Sequence, residues 1–445
     1  MNEASGSART GTFILAILAM VGFAASPARP QQMSNIDRGR MEDMLKNVSD
    51  DIQKHYYDKT FHGLDWNAVV RETKDKISKE NSLNMSMAHI AAALVALNDS
   101  HTFLLPPPRP FKHDYGFRML MVGDACYVAR VRPGTDAEGK GLRRGDQILS
   151  FDGNRPTREI MWKIDYRYRI LRPQPDVQLA IRQPDGQQGQ VDVAAKFKET
   201  ARMVDLTNGN NFWDMIREDE ADTHLMRLQT KELGDPLMVV KLPEFMFDQE
   251  EIDKMIGKAR KHQALILDLR GNPGGAVETL KYLLGNIFPD DVKIADRVGR
   301  REMKPEVAKG RGDHAFAGKL VVLIDSQSAS AAELFARVVQ LQKRGTVIGD
   351  RSSGSVMEAR HYDHKLGAET IVPYGVSVTE SDLIMGDGKS LEHVGVTPDE
   401  LDLPTAADMA GGRDPVLAHA ADLLGVKLSP EDAGRFFPLE WPRDN

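Results

Sequence analysis

From Leu237 onward, short apolar runs alternate with amphipathic segments, and this alternation constrains the fold more than any other feature of the sequence. PLMVVKLPEF, QALILDLRG, KLVVLIDS and TVIGD read as strands, and QALILDLRG is apolar enough to be buried on both faces. Between them DQEEIDKMIGKARKH, VETLKYLLGNIF and ASAAELFARVVQLQKR read as helices. The first of these carries acid early and Lys/Arg late, as the helix dipole favours. Such a pattern predicts βαβ units with right-handed crossovers. Ligand chemistry then belongs in the crevice beyond the carboxyl ends of the strands.

The chain has 445 residues, room for two or three domains. Upstream of the α/β region the texture changes twice. Asp37 to Asn98 reads helical, in MEDMLKNVSDDIQKHYY, LDWNAVVRETKDKI and the alanine-rich MSMAHIAAALVALND. PPPRP then stops helical continuation. From Tyr115 to Phe197 the pattern is one of short strands and turns, including FRMLMVG, ACYVARV and GLRRGDQILSFDG with its Asp-Gly turn. DVQLAIRQPDGQQGQVDVAAKF reads as a hairpin around a second Asp-Gly. The expected organisation is α/β and multidomain. An N-terminal helical domain covers 37–104, a β-rich module 113–197, an α/β core 200–405, and a tail of helix and irregular chain 406–445. Within the core, 200–235 reads as a charged helical connector.

The first residues differ from the rest. Glu3 and Arg9 cancel, and the apolar run FILAILAMVGFAA is shorter than the roughly 20 residues that span a bilayer. SPARP follows. Residues 1–28 are therefore expected to be a cleaved signal peptide and the mature chain periplasmic or secreted, with a retained anchor as the alternative. A net charge of -7 and the lack of a long Lys/Arg run give no nucleic-acid footprint. The single cysteine, Cys126, cannot form an intramolecular disulfide and reads as buried and structural. The histidines are scattered without H-E-x-x-H, so neither metal nor cofactor is expected.

Three segments could carry chemistry. DLRGNPGG, Asp268 to Gly275, ends a buried strand and is either an anion nest or a plain strand–helix turn. DSQSASAAELFARV runs from a strand end into a helix. A serine there could meet developing negative charge at a helix N-terminus, or Ser326, Ser328 or Ser330 could merely cap the helix. LNDSHT places His101 beside Ser100 at a helix end, a candidate base or a structural histidine. Asp99 and Ser100 could equally be local caps, and His89 lies inside a helical pattern and reads as structural.

Taken together, these segments resemble the C-terminal-processing (tail-specific) serine peptidases, over roughly residues 37–405. The β-rich segment VARVRPGTDAEGKGLRRGDQILSFDGNRP resembles a PDZ domain, with Gly141, Leu142, Gly145, Asp146, Ile148 and Gly153 on its pattern. LEHVGVTPD, Leu391 to Asp399, resembles the family's closing motif. The resemblance implies a crotonase-like catalytic core with Ser330 on the nucleophile position. Gly274 or Gly275 and the amide of Ala331 fall on the oxyanion positions. Most bacterial members carry a lysine base twenty-five residues after the nucleophile; here that residue is Ser355, and the next lysine is Lys365. The histidine-using, tricorn-like branch instead implies His101 as base, with Ser100 beside it and Glu392 as the orienting acid. A histidine base predicts an acid limb in kcat/KM at about 6–7.

The function implied is endopeptidase action on peptides or unfolded tails, with the PDZ-like module binding C-terminal peptides or gating the site. The alternatives are an inactive scaffold bearing the module and a protein that binds a hydrophobic ligand.

Overall fold

A computed structural model describes residues 33–199, 227–367, 372–437 and 441. The signal-peptide expectation, most of the connector and the end of the tail lie outside these residues.

The α/β region forms a six-stranded sheet in the order Glu400–Leu401, Thr346–Gly349, Lys319–Ile324, Ala264–Asp268, Leu237–Lys241, Gln229–Leu233. All neighbours are parallel except the last pair. Side chains alternate between two layers, as strand geometry requires. Met238, Val240, Leu265, Leu267 and Val322 pack with the helices Gln249–Ala259, Val277–Gly285 and Ala331–Leu341. Leu237, Val239, Ile266, Val321 and Leu323 pack on the helix Pro415–Leu423. The run Gln229–Leu233 corrects the reading of 200–235 as helical throughout. These residues pair antiparallel with Leu237–Lys241, because an edge beside a wholly buried strand leaves backbone groups to satisfy.

A second, antiparallel sheet is organised by the 14-residue strand Val372–Met385. One half pairs with Phe103–Leu105 and Met357–Leu366, the other with Val292–Gly299. Tyr374, Val376 and Val378 face the helices Asn35–His55, Trp66–Lys79 and Leu83–Val95 and share their core. Phe103–Leu105 thus leaves the helical region and joins this sheet, with Leu104 buried. The opposite register carries the buried polar residues Ser377, Thr379 and Ser381.

The β-rich segment is a five-stranded antiparallel sheet, Phe117–Val122, Ala125–Val131, Gln147–Phe151, Asp176–Arg182 and Gln188–Ala194. The helix Arg158–Asp165 and the turns Tyr166–Leu171 pack on it. Asp152 and Gly153 take φ of 46° and 77°, the left-handed pair that an Asp-Gly turn needs. Cys126 lies in this core, and burial pushes its thiol up to about 12. The module is fastened to the α/β region by Arg158, whose guanidinium reaches Asp350 at 2.5 Å and the carbonyls of Gly123 and Arg351.

Among the described residues no helix is long and apolar enough to cross a membrane, and no group of His, Cys, Asp and Glu is placed to hold a metal ion.

Candidate active site

The strand Lys319–Ile324 ends in a loop that folds against the turn after Ala264–Asp268. Asp325 Oδ1 accepts the amides of Gly271, Gln327 and Ser328. Ala329 donates its amide to the Asn272 carbonyl at 2.9 Å. Of the three serines, Ser326 donates its hydroxyl to the Met121 carbonyl and Ser328 donates to the Leu269 carbonyl. Ser330 remains, at the N-terminus of Ala331–Leu341, with φ 53° and ψ -116°. A non-glycine residue there is strained, and strain of this kind persists where surrounding contacts enforce it.

Glu333 does much of that enforcing. Its side chain is fully buried and accepts four bonds: from the amides of Ser330, Gly354 and Ser355 and from the Ser352 hydroxyl. Burial pushes its carboxyl up to about 7, against the four donors, which favour the anion. Glu333 lies within DSQSASAAELFARV, where the sequence alone assigns it no role. The signal was present, since Ser-Ala-Ala-Glu at 330–333 has the spacing of a capping box.

The two glycines of DLRGNPGG divide the labour. Gly274, at φ 102°, lies against the serine, and a Cβ there would stand 2.7 Å from Ser330 Cβ and 3.0 Å from the Ala331 nitrogen. Its amide is already donated to Asn272 Oδ1 at 2.8 Å. Of the expected oxyanion donors, Gly274 thus has its N–H engaged within the turn. The amides of Gly275 and Ala331 donate to no partner among the described residues.

The histidine segment reaches the same place from the other sheet. Asp99 Oδ1 accepts the amides of His101 and Thr102 and the Thr379 hydroxyl, which fixes the helix end to the strand Val372–Met385. Glu392 accepts the Ser100 amide on Oε1 at 2.7 Å and the Ser100 hydroxyl on Oε2 at 2.9 Å. Ser100 Oγ lies 2.7 Å from His101 Nδ1. The single hydroxyl proton of Ser100 goes to the carboxylate, so toward the ring Ser100 can only accept. His101 is then protonated on Nδ1, leaving the Nε2 lone pair free.

The two halves meet at residues 355 and 356. The Ser330 amide donates to the Ser355 carbonyl at 2.9 Å, and the next amide, of Val356, donates to Glu392 Oε2 at 2.9 Å. A run of hydrogen bonds through residues 355 and 356 therefore joins the Ser330 turn to the Glu392–Ser100–His101 cluster. Ser355, on the lysine position, contributes main chain. Burial raises the Glu392 carboxyl. It pulls the His101 imidazole down to about 4, with Asp99 opposing and His361 reinforcing the shift. A base so shifted predicts an acid limb below the one expected at about 6–7.

Residues 237–401 match the sequence model of Peptidase family S41. The chain is 25% identical over 406 residues to a carboxyl-terminal-processing protease of Picosynechococcus sp., covering 86% of this chain and 89% of that protein. It is 27% identical over 280 residues to a tail-specific protease of Haemophilus influenzae, covering 59% of this chain and 38% of that protein. Among solved structures, mature CPAF is similar with a TM-score of 0.63 at 16% identity, over 84% of this chain and 94% of that one, a likeness of fold.

Proposed function

This chain belongs to peptidase family S41 and is a serine-type peptidase, and from that premise we propose that it hydrolyses peptide bonds in polypeptide tails with Ser330 as nucleophile and His101 as general base. The observation that carries this reading is the unbroken hydrogen-bonded run Glu392–Ser100–His101, anchored through Val356 one residue from the partner of Ser330. His101 Nε2 takes the Ser330 hydroxyl proton as Oγ attacks the scissile carbonyl. The Gly275 and Ala331 amides receive the oxyanion. Glu392, through Ser100, stabilises the imidazolium, which then gives its proton to the leaving amine. Water, deprotonated by the same nitrogen, releases the acyl group and restores the serine. A low imidazole pKa suits this cycle, since the base is neutral in the resting site. A serine-directed phosphonate tests the assignment: it should label Ser330 in the native chain and fail in folded His101→Ala. Equal labelling of the two proteins would sink it.

The β-rich module supports a PDZ-like role that opposes or assists access. Its edge strand Phe117–Val122 offers the Met119 and Met121 carbonyls, which accept from Gln327 and Ser326 in the nucleophile loop. A peptide adding to that edge would compete with these two bonds, and so would bear on Ser330. Titration of the full chain with free-carboxylate and amidated peptides ending in an apolar residue distinguishes carboxylate capture from its absence. Export through residues 1–28 is part of the same proposal, and N-terminal sequencing of exported protein checks it.

A further inference from the structure

The turn that follows the strand Ala264–Asp268 is pinned residue after residue up to Gly275. Arg270 donates its amide to Asp268 Oδ1 at 3.0 Å, and its carbonyl accepts the Lys241 ammonium. Gly271 donates to Asp325. The Asn272 carbonyl accepts the Ala329 amide, and its side chain donates to the Leu242 carbonyl and accepts the Gly274 amide. The Gly274 carbonyl accepts the Phe245 amide. An oxyanion donor has to be in place before charge develops, and a turn held in this way keeps the Gly275 amide in place.

Arg270 is the root of this turn, and its guanidinium is shared between two carboxylates. Nε and Nη2 donate to Asp268 Oδ1 and Oδ2 at 2.9 and 2.8 Å. Nη1 and Nη2 donate to Asp414 Oδ1 and Oδ2 at 2.9 and 2.7 Å. Both contacts are two-point, which fixes the plane of the guanidinium as well as its position. Asp268 is local. Asp414 stands 144 positions further on, at the N-cap of the helix Pro415–Leu423, which packs on the opposite face of the parallel sheet from Ala331–Leu341. Capping occupies one oxygen only, since Oδ1 accepts the Leu417 amide at 3.0 Å. The second oxygen is directed at Arg270. Lys241 completes the group, 3.1 Å from Asp268 Oδ1, so that two cations face two carboxylates. Burial alone would raise the Asp268 carboxyl, yet Arg270 and Lys241 hold it well below the usual carboxylate range. Without the Asp414 charge, both cations would fall on one carboxylate. Asp414 lies beyond residues 237–401, the part that matches the family model, and no step of the hydrolytic cycle uses it.

We propose that Asp414 is a positioning residue for hydrolysis: it holds Arg270, and through Arg270 the turn that presents the Gly275 amide to the oxyanion. The proposal rests on the reading of Ser330 as nucleophile and Gly275 as oxyanion donor.

The test compares the full native chain with Asp414→Asn. Asparagine still caps the helix, but its NH2 meets a guanidinium donor instead of accepting from it. The value of kcat should fall about tenfold while KM moves less than about twofold, because the loss falls on the transition state. The decisive readout is an apolar peptidyl trifluoromethyl ketone labelled with carbon-13 at the ketone. Ser330 Oγ bonds to that carbon, the C=O bond becomes a single bond to an oxyanion, and the hydroxyl proton passes to His101. The pH at which the hemiketal oxygen takes up a proton, read from the label, should rise by about one unit in Asp414→Asn, the same tenfold loss seen directly at the oxyanion. Val416→Ala, which thins the packing of the same helix without touching Arg270, should lower Tm and leave both kcat and the hemiketal titration native. Asp414→Glu keeps the charge but moves it by a methylene, and should titrate between the native chain and Asp414→Asn. A lowered Tm with native kcat and native hemiketal titration in Asp414→Asn would reduce Asp414 to a helix cap and overturn the proposal. If Asp414→Asn does not fold, a native titration in Asp414→Glu overturns it instead. Absence of any hemiketal in the native chain is a different result: it sinks the hydrolytic reading itself, and the proposal with it.

Discussion

The Ser355 carbonyl accepts the backbone N–H of Ser330 at 2.9 Å. The position that by resemblance carries lysine in most bacterial relatives thus supports Ser330 through its main chain. Its hydroxyl turns to Ser353 Oγ at 3.1 Å. Ser355→Lys is expected to leave hydrolysis unchanged or lower it, because an added cation would disfavour proton uptake by His101. A rise in kcat/KM in that variant would contradict the histidine assignment.

Side-chain removals should rank. Ser330→Ala and His101→Ala are each expected to lower kcat by about 10³-fold or more, since the residues work as a unit. Glu392→Gln should cost less but still clearly reduce kcat. Its carboxylate takes two amides and one hydroxyl, and an NH2 would face one of these donors. Ser100→Ala should cost least, because the Ser100 amide still reaches Glu392. Steady-state kinetics on folded variants read the order, and near-normal turnover in His101→Ala would rule out its role as base.

The pH profile should follow from burial. With the imidazole pulled down to about 4, kcat/KM should persist below pH 6 and fall only as the ring protonates near that value. Stability carries the same sign. The unfolded ring binds its proton near pH 6.5, whereas the folded ring resists it to about 4. The contribution is therefore full above about 6.5 and is lost as pH falls through that window. Urea melts of the native chain and His101→Ala at pH 7 and 5 should diverge at the upper value and converge at the lower.

Glu333→Gln is expected to destabilise the fold by about 2–4 kcal/mol and to lower kcat with little change in KM. Three amides and a hydroxyl converge on two oxygens, and an amide nitrogen in place of one oxygen leaves buried donors unanswered. Thermal melts with kinetics at saturating substrate check both parts.

Gly274→Ala should abolish activity and lower Tm. At φ 102° an added Cβ meets Ser330 Cβ at 2.7 Å and the Ala329 carbonyl at 2.9 Å, both on the strained Ser330 turn. Gly271→Ala makes a useful control, because its Cβ would meet only the Gln327 side chain, at 3.9 Å, and at φ 72° it carries the backbone penalty alone.

What the sequence determined by itself was local. Periodicity marked the strands of the parallel sheet and the helices on its face, and Asp-Gly and proline marked the turns, because these signals act within a few residues. It also brought forward Ser330, His101, Ser100 and Glu392, through motif resemblance. Only the tertiary structure decided how they are joined. Ser100 and Glu392 are 292 positions apart, and what joins them is the pairing of Phe103 with Ser377 and of Asp99 with Thr379. No local pattern encodes such a register. The same holds for the engagement of the Gly274 amide by Asn272, for the four bonds on Glu333 and for the downward shift of His101. Each depends on which buried groups meet across separate sheets, and burial is a property of the packed chain.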